Sequence, residues 1–135
     1  MYFEQGEYEA AKRYYERALR IRERVLGADH LLVAESLNNL GGIHFGQRRY
    51  EEAKGYLERA LEIKEKALGS EHHLVASSLS NLGSVYFLQG DYDSAKVHLE
   101  RLLRLGENTL GMEHPHMTDS LHHLGSMYIH QEDYE

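Results

Sequence analysis

Two amphipathic patterns alternate along this chain. In residues 31–47, LLVAESLNNLGGIHFGQ, apolar side chains fall at Val33, Leu37, Leu40, Ile43 and Phe45, close to the spacing of one helix face. In residues 50–68, YEEAKGYLERALEIKEKAL, a second face is marked by Ala53, Leu57, Ala60, Leu61, Ile63 and Leu68. QRRY here, and QGDY one repeat later, form the short turn between them. Gly90 suits the left-handed residue that ends a helix, and Arg48 stands at the same place one repeat earlier. The second helix is expected to stop at Gly69, with Lys66 complementing the negative end of the helix dipole. Pro115 supplies a first-turn residue for a later helix. No stretch alternates with the period of a strand, so the fold is expected to be all-α.

The pattern recurs every 42 residues. Tyr8, Tyr50, Tyr92 and Tyr134 keep that interval, as do Gly27, Gly69 and Gly111, and His30, His72 and His114. The pairs Leu40-Gly41, Leu82-Gly83 and Leu124-Gly125 keep it too. A fixed period of this length signals one helical unit stacked on copies of itself, because one unit cannot bury its own apolar face. Gly41, Gly83 and Gly125 fall mid-helix, where glycine costs about 1 kcal/mol relative to alanine. Close approach of a partner helix would offset that, with Ala53, Ala60 and Ala95 answering from the second helix. The aromatic columns Tyr2/His44/Tyr86/Tyr128 and Phe3/Phe45/Phe87/Ile129 would fill the wider gaps.

The resulting expectation is a right-handed α-solenoid of antiparallel helix pairs, about three repeats long, forming a single array over 1–135. It divides into a partial repeat at 1–30 (mainly a second helix), repeats at 31–72 and 73–114, and a partial repeat at 115–135 (mainly a first helix). The opening MYFEQGEYE keeps the register of the closing MYIHQEDYE, so the chain is expected to begin and stop inside a repeat of a longer array.

Net charge is −7, with a pI near 5.8, which argues against nucleic acid or an anionic membrane as the general partner. No segment has the roughly 18 apolar residues that would span a bilayer. With no cysteine and no secretory signal, a cytoplasmic setting is expected. Enzyme chemistry finds no support: there is no phosphate-cradling glycine loop and no cysteine nucleophile. Ser36, Ser78 and Ser120 repeat at the period, which marks them as scaffold. No cofactor is expected. Ten histidines invite a metal reading, but His30, His72 and His114 share one loop position and read as recurring loop or cap residues. Only His116, Asp119, His122 and His123 could meet on one helix, and no known zinc spacing matches them, so no metal site is assigned.

The recurring Leu-Gly, with Tyr86 three residues after Gly83 and Tyr92 and Ala95 in the following helix, resembles the tetratricopeptide repeat. The longer period, with LGADHLLVAESLNNLG and LGSEHHLVASSLSNLG, is similar to the long-repeat subclass of kinesin light chains and nephrocystin-like proteins. The resemblance implies a scaffold whose first (A) helices line a concave groove that holds a peptide segment of a partner. In kinesin light chains the second Asn of Asn-Asn-Leu contacts cargo peptides, which carries over to Asn39 and Asn81; His123 replaces it in the third repeat. Helical spacing around these positions adds Glu35, Asn38 and Gly42; Ser77, Ser80 and Ser84; and Asp119, His122 and Ser126. This stripe lacks Lys and Arg, so a strongly acidic ligand is not the expected partner. The alternative function is self-association, with copies stacking head-to-tail through uncapped terminal repeats into homo-oligomers.

Overall fold

The structure is a computed structural model that describes residues 5–110 and 115–134. Six α-helices and no strand occur among the described residues: α1 (Gln5–Leu26), α2 (Leu31–Gly46), α3 (Tyr50–Leu68), α4 (Ala76–Leu88), α5 (Tyr92–Leu105) and α6 (Pro115–Tyr134). A single 3-10 turn, His73–Val75, leads into α4, and a π turn, Gly106–Leu110, prolongs α5. The helices read from the amphipathic patterns are present: α2 and α3 match their predicted spans, and α6 opens on Pro115. The predicted stop at Gly111 and the cap at His114 lie outside the described residues.

Two compact units make up the chain, Met1–Gly69 and Ser70–Glu135. In the first, α1, α2 and α3 run antiparallel in turn. Tyr8, near the start of α1, lies against Gly46 at the end of α2, while Arg22, near the end of α1, reaches Ser36 near the start of α2. Leu19, Val33, Ala34, Leu37, Leu40, Ala60 and Ile63 form one buried cluster, with Tyr56 packed against it. In the second unit α4, α5 and α6 bury Leu79, Leu82, Val85, Ala95, Leu99, Leu102, Met117, Leu124 and Met127.

Turn chemistry explains where the helices stop. Arg48 has φ 62° and Gly90 has φ 80°, the left-handed conformation expected at both. A Cβ makes that conformation unfavourable, so Arg48 holds its turn at a cost that Gly90 avoids. Each turn is also bridged by aromatics. The rings of Phe45 and Tyr50 meet edge-on at 5.6 Å, and those of Phe87 and Tyr92 lie tilted at 5.7 Å, one repeat apart.

Helix crossings explain the glycines. A methyl group on Gly41 would stand 2.8 Å from Leu57 Cδ2, and one on Gly83 would stand 2.5 Å from Leu99 Cδ2. Both leucines are buried, and Ala53 and Ala95 beside the crossings are fully so. Gly125 departs from the expectation. No neighbour lies within 4 Å of it among the described residues, because the leucine sixteen positions on that fills the two other crossings has no counterpart within the 135 residues.

The same substitution in one column therefore has opposite signs. Gly41→Ala gains about 1 kcal/mol of helix propensity but overpacks Leu57 at a cost of about 1–3 kcal/mol, so net destabilisation is expected. Gly125→Ala meets nothing and should stabilise by up to about 1 kcal/mol. Urea denaturation of the two variants checks the pair.

Candidate functional site

The A helices α2, α4 and α6 present the residues singled out in the sequence. The starts of the first two are set by histidine. His30 Nδ1 accepts from the Leu32 N–H at 3.0 Å, and His72 Nδ1 accepts from the Leu74 N–H at 3.1 Å. Each thereby satisfies one of the orphan donors at a helix N-terminus. Of the loop or cap roles expected of these two residues, the structure gives the cap.

A second device anchors the start of α2. The Arg22 guanidinium, from α1, donates to Leu32 O at 2.9 Å and to Ser36 Oγ at 3.0 Å, with Glu35 at 3.7 Å. Ser36 is buried, as are its period mates Ser78 and Ser120, which agrees with their reading as scaffold. Lys64, at Arg22's place one repeat on, is half-buried, and desolvation lowers its pKa.

Val33, Ala34, Ser36, Leu37, Leu40, Gly41 and His44 of α2 are buried, which leaves a stripe of Glu35, Asn38, Asn39 and Gly42 at the surface. Glu35 and Gly42 are exposed and the two asparagines half-buried. Asn38 Oδ1 is buried with no hydrogen-bond partner among the described residues. In α4, Asn81 is exposed and Ser77 and Ser84 are half-buried, but Ser80 keeps only 8% of its surface. Here α4 packs against both α5 and α6, and a serine is short enough to be enclosed. In α6, Asp119 and His122 are exposed, Ser126 is half-buried, and the His123 ring stacks on Phe87 of α4 at 4.7 Å. Each stripe runs along one helix, and among the described residues neither Asn39 nor Asn81 makes a side-chain hydrogen bond.

Comparison with known proteins agrees with this geometry. The family model described as tetratricopeptide repeat matches residues 1–66, 37–108 and 74–135. The chain belongs to the tetratricopeptide repeat family. Among solved structures it is similar to BtubC (BKLC) from P. vanneervenii, at 30% identity and a TM-score of 0.82, over 96% of this chain and 52% of that one. It is also similar to a Podosopora anserina protein of kinesin light chain type with nearly identical TPR-like repeats, at 28% identity and a TM-score of 0.80. That match covers 91% of this chain and 58% of the other, and a single-substitution form of the same protein gives 0.81 over the same shares. The chain thus spans little more than half the length of these neighbours. No curated protein matches it. Its repeats are of the kinesin light chain-like type, and tetratricopeptide repeats mediate protein–protein interaction.

Two features of these repeats were not read from the sequence. His44 of α2 stacks on Tyr56 of α3 at 5.2 Å, while one repeat later Tyr86 of α4 meets His98 of α5, also at 5.2 Å. The two ring types have exchanged helices across an equivalent crossing. At the end of α5, Gly106 lies against the Met117 side chain so closely that a Cβ there would collide with its sulfur and terminal methyl. The columns show both exchanges once they are compared in pairs: Arg22/Lys64/Gly106 against Val33/Val75/Met117, and His44/Tyr86 against Tyr56/His98. As for metals, no group of three or more histidine, cysteine, aspartate or glutamate side chains among the described residues could hold an ion. The His116 side chain lies outside the described ones.

The electrostatics of the first unit centre on two groups. Glu9 accepts from Gln47 Nε2 at 3.0 Å and pairs with Lys12 at 3.1 Å. Those hydrogen bonds hold its carboxyl below the usual carboxylate value. His44 is 6% exposed and neither ring nitrogen has a partner among the described residues. Burial lowers its pKa from the ordinary 6.5; Lys12 and Arg49 push the same way, and Glu52 and Glu16 oppose them.

The unfolded chain therefore binds a proton at His44 at a higher pH than the folded one. His44 leaves stability intact above about pH 6.5, and stability falls as pH drops from there toward the lowered folded value. Exchanging the pair to His44→Tyr with Tyr56→His imports the arrangement of Tyr86 and His98. The double variant should lose less stability than the parent between about pH 7.5 and pH 5, as measured by urea midpoints at each pH.

Proposed function

We propose that this chain is an interaction scaffold that receives a peptide segment of a partner along the exposed stripes of its A helices. One observation carries the reading. Asn39 and Asn81, one period apart, keep their carboxamides without a hydrogen-bond partner among the described residues, so neither side chain is spent on the fold. A carboxamide offers both a donor and an acceptor and can bond a peptide backbone whatever its side chains are. Glu35 and Asp119 are the only fixed charges among the candidates, which favours a neutral or basic segment over an acidic one.

Peptides selected from a random display library against the 135-residue chain provide the ligand for a test. The Asn39→Ala, Asn81→Ala double variant should bind such a peptide about ten-fold more weakly, the loss of one or two hydrogen bonds. Its thermal midpoint should stay unchanged, because neither side chain makes a hydrogen bond among the described residues. Unchanged affinity by calorimetry removes the asparagines from the site.

A further inference from the structure

The turn between α2 and α3 keeps a residue that its backbone does not favour. Arg48 adopts φ 62°, in the left-handed region, while Gly90 makes the equivalent turn at φ 80° without a Cβ. One chain thus holds the unstrained solution at one turn and the strained one at the other. Strain of this kind is characteristic of positions where the side chain has a use. That use does not lie within the fold. Arg48 is exposed, and its guanidinium makes no ion pair or hydrogen bond among the described residues.

Two carboxylates close to the turn are already engaged. Glu9 of α1 takes Gln47 at 3.0 Å, Lys12 at 3.1 Å and Arg49 at 4.0 Å, and Glu51 of α3 takes Lys54 at 3.1 Å. Arg49 therefore has a partner and Arg48 has none. Arg48 stays open although α1 already lies against the turn through Glu9 and α3 follows directly.

Arg48 also stands just beyond the end of the α2 stripe. From Glu35, Asn38, Asn39 and Gly42 the surface leads to Phe45, 36% exposed, and then to the turn. A carboxylate is at one end of this path and an unpaired guanidinium at the other, with uncharged asparagines between them. We propose that Arg48 is a specificity contact for the peptide segment that the stripe receives: it takes an aspartate or glutamate side chain of that segment and so fixes which way round the segment lies. The inference rests on the asparagine stripe as the binding site.

From Asn39 to Gly46, the last residue of α2, the helix axis runs about 10 Å, which roughly three residues of extended chain cover. The carboxylate therefore belongs about three to five residues beyond the one seated on Asn39. The guanidinium fork matches it in geometry as well as charge. The end of the segment near Glu35 stays neutral or basic.

The test uses the intact chain and a display library of random peptides, with the selected sequences made as C-terminal amides so that only side-chain carboxylates are present. Selection on the parent should enrich an aspartate or glutamate toward one end of the peptide, and selection on Arg48→Gly should not. Replacing that acid by its amide should weaken binding to the parent about two- to five-fold, the range of an exposed charge pair. The same replacement should leave binding to Arg48→Gly unchanged in calorimetry. Raising salt from about 0.05 to 0.3 M should shrink the difference, and Arg48→Lys should keep part of it. The urea midpoint of Arg48→Gly should equal or exceed that of the parent, because glycine relieves the left-handed strain.

Absence of acidic enrichment, or an acid whose removal weakens binding equally on both chains, overturns the proposal. So does a lower urea midpoint for Arg48→Gly, which assigns the arginine to the fold. Peptides weakened by Asn39→Ala, Asn81→Ala but indifferent to Arg48→Gly leave the stripe standing and remove Arg48 alone. Peptides that need Arg48 but ignore the asparagines place the carboxylate off the stripe, and the orientation fails with it.

Discussion

The contact on which the rest of the structure depends is a glycine of one helix meeting a leucine of the next: Gly41 with Leu57, and Gly83 with Leu99. Glycine in mid-helix is a local fault worth about 1 kcal/mol. It persists because the buried leucine fills the space a Cβ would take, and burial of such a side chain contributes about 1.5–3 kcal/mol. Once that crossing is fixed, the register of each antiparallel pair follows. The ring contacts of His44 with Tyr56 and of Tyr86 with His98 come one turn on, and the aromatic pairs at Phe45 and Phe87 close the turns.

Most of the fold was legible because repetition turns a single sequence into several observations of one unit. The glycines at 41 and 83, the left-handed position shared by Arg48 and Gly90, and the caps at His30 and His72 all recur at the period, and each proved to have its own physical cause. What escaped the reading was variation within a column that only makes sense against a second column. Tyr56 and His98 look unrelated until His44 and Tyr86 are set opposite them. Gly106 reads as an isolated helix fault until Met117 is seen to occupy its space. Periodicity identifies what stays constant, and it hides compensation between positions that change together.

The candidate site was legible in outline and not in detail for a related reason. Helical spacing predicts which side of α2, α4 or α6 faces away from its own pair, but not how deep each side chain sits once a third helix packs nearby. Ser80 is enclosed although its period mate Asn38 is only half-buried, because a serine can be covered where a carboxamide must project. His123 was carried into the asparagine column by spacing alone, and its ring stacks on Phe87. The stripe that spacing draws is thus a set of positions with unequal access.

Those positions still constrain what could lie on them. The carboxamides of Asn39 and Asn81 have no partner among the described residues, so they rely on solvent. An apolar surface laid over them would strip that solvent away and leave each group unsatisfied, at a cost of about 1–3 kcal/mol apiece. A peptide in extended form carries an N–H and a C=O at nearly every residue and can answer an amide side chain with either. Small neighbours such as Gly42 and Ser84 leave room for a backbone to come close. A bare main chain could satisfy these carboxamides, and an apolar helix face could not.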